Sequence, residues 1–255
     1  MLALHDVTVK RGTRELLAGV TATFEPGTFT AIVGANGVGK SSLLATMCGS
    51  TRPVRGHVTL DDVDLWSLAP RLRAQAIALV EPAEPVLAAL TVDEAVASAR
   101  YPHHRWWEWR ASSADDDAVA EALAATDLTA LAARELGSLS TGERQRVWIA
   151  IALAQHARVV AFDEPTSHLD LRYAIETLAL LRRIAASGAT VIAVLHSLEE
   201  AAAVADRIII LADGGVAADG SPADALTAAT LARAFGVEIA VTRANGRLQF
   251  YRTFR

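Results

Sequence analysis

The stretch Gly34-Ala35-Asn36-Gly37-Val38-Gly39-Lys40-Ser41-Ser42 has the spacing G-x-x-x-x-G-K-[ST], which suits it to hold phosphate. Glycines let successive backbone amides turn inward as an anion nest at the start of a helix. Lys40 would reach β- and γ-phosphate oxygens and the Ser41 hydroxyl would ligate Mg2+, with Asn36, Gly37, Val38, Gly39 and Ser42 completing the cradle. An ordinary glycine turn into a helix explains the glycines but not the lysine. Of 24 basic residues only Lys10 and Lys40 are lysines, so Lys40 marks a place that a compact ammonium fits and a guanidinium does not.

A second group lies far downstream. Val159-Val160-Ala161-Phe162-Asp163-Glu164 is an apolar run ending in two carboxylates. At such a strand end Asp163 can hold Mg2+, directly or through water, while Glu164 faces the terminal phosphate and polarises an attacking water. Taken alone, the acids read as a solvated pair opening a turn at Pro165; beside the glycine loop the chemical reading is favoured.

Leu139-Ser140-Thr141-Gly142-Glu143-Arg144-Gln145-Arg146 resembles the LSGGQ-type signature of the ABC ATPases. Ser167-His168-Leu169-Asp170, after Pro165-Thr166, is similar to that family's D-loop, and His196 to its switch histidine. The motifs stand in the family's order and the resemblance spans essentially the whole chain. It implies an α/β P-loop NTPase with a RecA-like core, an N-terminal antiparallel β element and a helical insertion sub-domain. It implies Mg-dependent hydrolysis of ATP in step with transport. ATP would be sandwiched between two copies, with Ser140, Thr141, Gly142 and Glu143 of one closing on the nucleotide held by the other's glycine loop. His196 would hydrogen-bond the γ-phosphate. Asp170 would communicate across the dimer, and also reads as a helix N-cap. Implied partners are a second copy, transmembrane permease subunits and an extracytoplasmic substrate-binding protein, which puts the chain at the cytoplasmic face of a membrane.

The segments His196-Ser-Leu-Glu-Glu-Ala, Asp206-Arg-Ile-Ile, Gly220-Ser-Pro, Phe235-Gly-Val-Glu-Ile and Ala99-Arg-Tyr-Pro-His-His resemble the importer branch for ferric siderophores, haem and cobalamin. A soluble ABC ATPase outside transport and a degenerate ATP-binding regulatory subunit are the rival readings. Three positions depart from the family. Arg11 stands where an aromatic ring usually meets adenine; a guanidinium can stack on a base or simply sit in water. Glu81-Pro82-Ala83-Glu84 replaces the expected glutamine, so that either Glu81 or Glu84 supplies the oxygen ligand or the contact is missing. Thr141 replaces a glycine but keeps its amide.

Positioning these groups requires alternating strands and helices. Residues 2–9 and 17–24 read as antiparallel strands, 29–33 as a strand buried on both faces, and 40 to about 49 as the following helix. Residues 57–60, 76–80, 159–163, 190–195 and 208–211 read as strands, and 171–186 as a helix. Between them 95–99, 115–126 and 141–154 have helical spacing, with Ser113 and Thr141 as N-caps. The predicted division is a core at 1–82 and 155–220, a helical sub-domain at 83–154, and an extension at 221–255. The extension carries two short helices and strands at 238–242 and 247–251.

Composition narrows the field further. Net charge is −5 with no basic run, which argues against nucleic acid as a partner. One cysteine, Cys48, excludes an internal disulfide and reads as a small core residue. No apolar run approaches the ~20 residues of a membrane span. Three tryptophans crowd Tyr101–Trp109 and suit either the sub-domain's own core or a grip on the permease. His103 and His104 lack a third ligand at a metal-binding spacing.

Overall fold

A computed structural model describes residues 1–81, 89–104, 112–244 and 247–252. In chain order, β1 (Leu2–Arg11) and β2 (Arg14–Phe24) lead to β3 (Phe29–Gly34) and α1 (Lys40–Met47). There follow β4 (Arg55–Leu60), β5 (Val63–Asp64), α2 (Pro70–Ala76) and β6 (Ile77–Val80). Helices α3 (Val92–Ser98), α4 (Ser113–Ala125) and α5 (Thr141–Ala154) precede β7 (Val159–Asp163), α6 (Leu171–Ala186) and β8 (Thr190–Val194). The chain continues through α7 (Leu198–Val204), β9 (Arg207–Ala212), β10 (Gly215–Gly220), α8 (Pro222–Ala225) and α9 (Ala228–Phe235). It closes on a hairpin of β11 (Ile239–Ala244) and β12 (Arg247–Arg252).

The central sheet has the order β10-β9-β3-β8-β7-β6, parallel except for the antiparallel edge strand β10. Its inner strands are mostly apolar because both faces are covered. Phe29, Ala31 and Val33 point to one cluster with Val160, Phe162, Val191 and α6, while Ile32, Ala161, Ile192 and Val194 point to the other with α1. A second, antiparallel sheet, β2-β1-β4-β5, packs on that latter face. The turn between β1 and β2 falls at Gly12, whose φ is +62°, so Arg11 and Arg14 end the hairpin as a cross-strand pair.

Helices α3, α4 and α5 form a third cluster around Val96, Leu123, Val147 and Ala154. Helix α5 serves two cores, since its Ile149 and Ala152 belong to the sheet cluster. Polar contacts tie the same junction. Arg100, 7 % exposed, donates through Nε to Asp115 Oδ1 (2.8 Å) and through Nη1 to the Ala154 carbonyl (2.7 Å). Arg71 and Gln75 of α2 both donate to the Pro102 carbonyl, at 2.6 and 2.7 Å.

Several expected boundaries move. Ala76 closes α2 instead of opening a strand, because Pro70 starts a short helix that periodicity does not announce. The N-caps are Ser112 and Ser140, each one residue before the expected Ser113 and Thr141. In both, the serine accepts from the amide three residues on, and that residue's carboxylate (Asp115 or Glu143) returns the bond to the serine amide. Cys48 is half-buried beneath α1, with its thiol pushed up chiefly by burial. Tyr101 is 81 % exposed. Trp106, Trp107 and Trp109, like Pro82 and Glu84, lie outside the described residues.

Candidate active site

The site forms where β3, β7 and β8 end, on the carboxyl edge of the sheet. The loop leaves β3 at Gly34, whose φ is +155°; a Cβ there would come within 2.6 Å of the Leu211 carbonyl, so no other residue fits. Gly39 ends the loop in the left-handed region (φ +113°) and caps α1 with no side-chain hydrogen bond. The first amides of α1 are therefore left for a ligand, at the positive end of the helix.

Lys40 is 5 % exposed, and its ammonium donates to the carbonyls of Gly34 (2.8 Å) and Ala35 (3.1 Å). Burial lowers its pKa, against the opposing pull of Glu164 and Asp163. Ser41 donates to Asp163 Oδ1 at 3.1 Å, joining α1 to the end of β7. Burial raises the Asp163 pKa and the neighbouring Glu164 adds to that rise, outweighing Ser41, Lys40 and His196. Glu164 holds a left-handed backbone (φ +52°) and its amide donates to the Val194 carbonyl at 3.2 Å. That turn directs its carboxylate to His196, whose Nε2 lies 2.6 Å from Glu164 Oε1.

A cavity of about 490 Å³ opens over these groups. Its floor is Asn36, Gly37, Gly39, Lys40, Ser41 and Ser42; Glu164 and His196 line it as well, and Arg11, Arg14 and Leu16 bring the β1–β2 hairpin to it. Arg14 and Leu16 were not anticipated, since only the strand pairing brings β2 to the loop. A smaller cavity of about 140 Å³ adjoins on the other side of Glu164, lined by Glu81, Asp163, Thr141, Gln145 and His168 among others. Gln75, by contrast, is spent on the Pro102 carbonyl. Another cavity, of about 450 Å³, lies at the opposite ends of β7 and β8, where the cation Arg158 is already paired with Asp61 at 2.6 Å.

Ser140, Gly142, Glu143 and Asp170 are not among the residues lining the cavity over the glycine loop. Gly142, in the first turn of α5, lies against the ring of Tyr173, and a Cβ on it would come within 2.5 Å of that ring. Asp170 accepts from the Tyr173 amide at 2.9 Å and so caps α6.

The residues fit a magnesium nucleotide. A half-buried carboxylate and a hydroxyl already in contact are hard oxygen donors of the kind Mg2+ takes alongside phosphate oxygens. Burial, with Glu164 beside it, raises the Asp163 pKa, and a cation bound there would offset both effects. Uncapped amides and a buried ammonium face the same cavity.

Residues 17–167 match the family model described as ABC transporter. The ferric enterobactin transport ATP-binding protein FepC of Escherichia coli (strain K12) is 37 % identical over 91 % of this chain and 86 % of its own length. The hemin import ATP-binding protein HmuV of Thermobifida fusca (strain YX) is 38 % identical over 94 % of this chain and 84 % of its own. Among solved structures, an inward-facing metal-chelate type ABC transporter superposes with a TM-score of 0.86 at 25 % identity, covering 100 % of this chain and 98 % of that one.

Proposed function

Since this chain belongs to the ABC transporter family as an ATP-binding subunit, whose members are ATPases coupled to transport, we propose that it powers import of an iron-siderophore, haem or cobalamin-like chelate. Support for the cargo class comes from the relatives named for ferric enterobactin and hemin and from the metal-chelate type neighbour. Family members work in pairs with transmembrane permease subunits. The finer reading is a homodimer at the cytoplasmic face, served by an extracytoplasmic substrate-binding protein. Among the described residues no helix is long and apolar enough to cross a membrane, consistent with a permease supplying that part.

The observation that carries the catalytic reading is the convergence of Lys40, Ser41, Glu164 and His196 on one cavity, with Asp163 bonded to Ser41. ATP entering there would exchange the Gly34 and Ala35 carbonyls on Lys40 for β- and γ-phosphate oxygens, while the amides opening α1 take the remaining charge. Ser41 and Asp163 would hold Mg2+, which when bound offsets phosphate charge. Glu164 accepts the proton of the water that attacks the γ-phosphorus, as the bond to the ADP oxygen breaks. His196, in its Nε2–H form, donates to Glu164 and fixes the carboxylate's direction. Thr141 and the other signature residues would close on the partner's nucleotide.

Mg-ATP turnover by wild type beside Glu164→Gln tests this reading, with ATP binding measured in parallel. Removing the base should lower turnover by about 10²–10⁴-fold and leave binding intact. Equal turnover in both proteins would sink the assignment of Glu164. Tight binding with negligible wild-type turnover, even beside the permease, would favour a regulatory subunit instead, a reading to which the missing glutamine at 81–84 points. For the cargo, ATPase of the chain assembled with its permease should rise with a binding protein loaded with ferric siderophore, hemin or cobalamin. No response to any of the three would discard the import class.

A further inference from the structure

The closing hairpin of β11 and β12 turns alternate residues toward the body of the protein. Ile239, Val241, Leu248 and Phe250 pack on the cluster of the central sheet, as a period of two requires. Arg243 continues that face by one step and pairs across the strands with Leu248, so a charge stands where the pattern calls for an apolar residue. It has no hydrogen-bond or ion-pair partner among the described residues. Arg243 and Leu248 line a cavity of about 820 Å³, larger than the one over the glycine loop.

Three helices complete this cavity: α6 through Ile175, α7 through Glu199, Ala202 and Ala203, and α8 through Pro222. Its volume is that of a small-molecule site, and its walls are largely apolar with few polar groups. Among the described residues that line it, Arg243 is the one cation and Glu199 the one anion. Ser221, also in the lining, spends its hydroxyl on Asp224 at 2.6 Å. An unpaired guanidinium takes a carboxylate or a phosphate, and Glu199 weighs against a doubly charged phosphate. The apolar walls call for a hydrocarbon body behind that head group. Helix α7 links the cavity to the catalytic groups, for it starts two residues after His196. Its cap Ser197 accepts from the Glu200 amide (3.1 Å) and donates to the Glu199 carboxylate (3.2 Å). Glu200 in turn accepts from Thr166, two residues past Glu164, at 2.8 Å. A second negative charge beside Glu199 would disturb this first turn, and with it the seating of His196 against Glu164.

We infer that this cavity binds an amphipathic monocarboxylate, with its head on Arg243 and its hydrocarbon body against Ile175, Ala203 and Leu248, and that occupancy slows ATP hydrolysis through α7. The effect on hydrolysis rests on the catalytic reading above; the binding does not. The test is calorimetric binding of decanoate, octanoate, decanol and decyltrimethylammonium, each below its micellar concentration, to wild type, Arg243→Gln and Ala203→Phe. Decanoate should bind wild type about tenfold more tightly than decanol, decyltrimethylammonium or the shorter octanoate. Arg243→Gln should bring decanoate down to decanol. Ala203→Phe, which fills the cavity from an exposed position, should weaken decanoate and decanol alike. Decanoate at saturation should lower wild-type turnover by about fivefold and, at the same concentration, leave that of Arg243→Gln nearly unchanged.

Equal binding of decanoate, decanol and decyltrimethylammonium would overturn the inference, as would decanoate binding that survives Arg243→Gln. Loss of decanoate binding at concentrations where the chain dimerises would overturn it too, because the cavity would then be a contact between copies. Tight decanoate binding with unchanged turnover would refute the action through α7. A wild type that hydrolyses no ATP even beside its permease would instead remove the catalytic reading, while the binding arms would still decide the site.

Discussion

Gly142 shows how one residue can answer to packing before function. The Tyr173 ring lies where its Cβ would go, Arg146 lies over that ring at 5.4 Å, and Arg146 is bound in turn by Glu176. Gly142→Ala should therefore cost about 1–3 kcal/mol in urea unfolding, the usual penalty for overpacking. Adding Tyr173→Ala should recover part of the loss, because the clash disappears; strict additivity would mean that ring and glycine do not meet. His196→Ala should lower turnover at saturating ATP, by about 10–10²-fold, with ATP affinity changed less, if the ring acts through the Glu164 carboxylate it meets. An equal loss in affinity would assign it to nucleotide binding. The glycine loop and the acids at 163 and 164 were readable in the sequence because each works through neighbours a few residues away. Arg14 and the Tyr173–Gly142 contact were not, since strand register and helix packing create them.

Among the elements, α4 is held by an ion pair with little access to water. Burial alone would push the Asp115 carboxyl up, but Ser112, Arg100 and His104 together hold it well below the usual carboxylate range. A folded value below the unfolded one stabilises the protein above about pH 4, and that contribution fades as pH falls through the folded value. Acid unfolding should start at higher pH in Asp115→Asn, which should also lose about 3 kcal/mol at neutral pH by stranding Arg100. Calorimetry across pH 3–7 reads both effects; parallel curves for the two proteins would refute the pairing. The long elements were legible for a plain reason: β3, β7 and β8 are largely apolar runs, and α6 is long and amphipathic enough to show a period. Helices α2 and α7 span two turns each, too few positions for periodicity to separate them from loops.

At the scale of the whole chain, the cavity over the glycine loop lacks Ser140, Gly142 and Glu143, which the proposed pairing assigns to a partner's nucleotide. If the halves meet across a dimer, Lys40→Ala and Ser140→Arg proteins should each be inactive alone. Mixed in equal amounts they should recover about a quarter of wild-type turnover, because half the dimers pair one intact loop with one intact signature. No recovery after verified subunit exchange would place the whole site within one chain. Wild-type turnover should correspondingly rise more than linearly with concentration near the dimer dissociation constant. The resemblance to the family implies this division, and the contact it implies lies beyond any single chain.

The scarcity of lysine has a practical side. The chain's only primary amines are Lys10, Lys40 and the N-terminus, and the last is bound by Asp61. Lys10 sits on the open hairpin, while Lys40 is enclosed beneath Gly34 and Ala35. Acylating reagents, which scatter over most proteins, find almost no addresses here. Peptide mass spectrometry after brief acylation should show Lys10 modified first. Slow labelling of Lys40 would report each opening of the loop, and nucleotide should silence it, making a general amine reagent a footprint of one buried side chain.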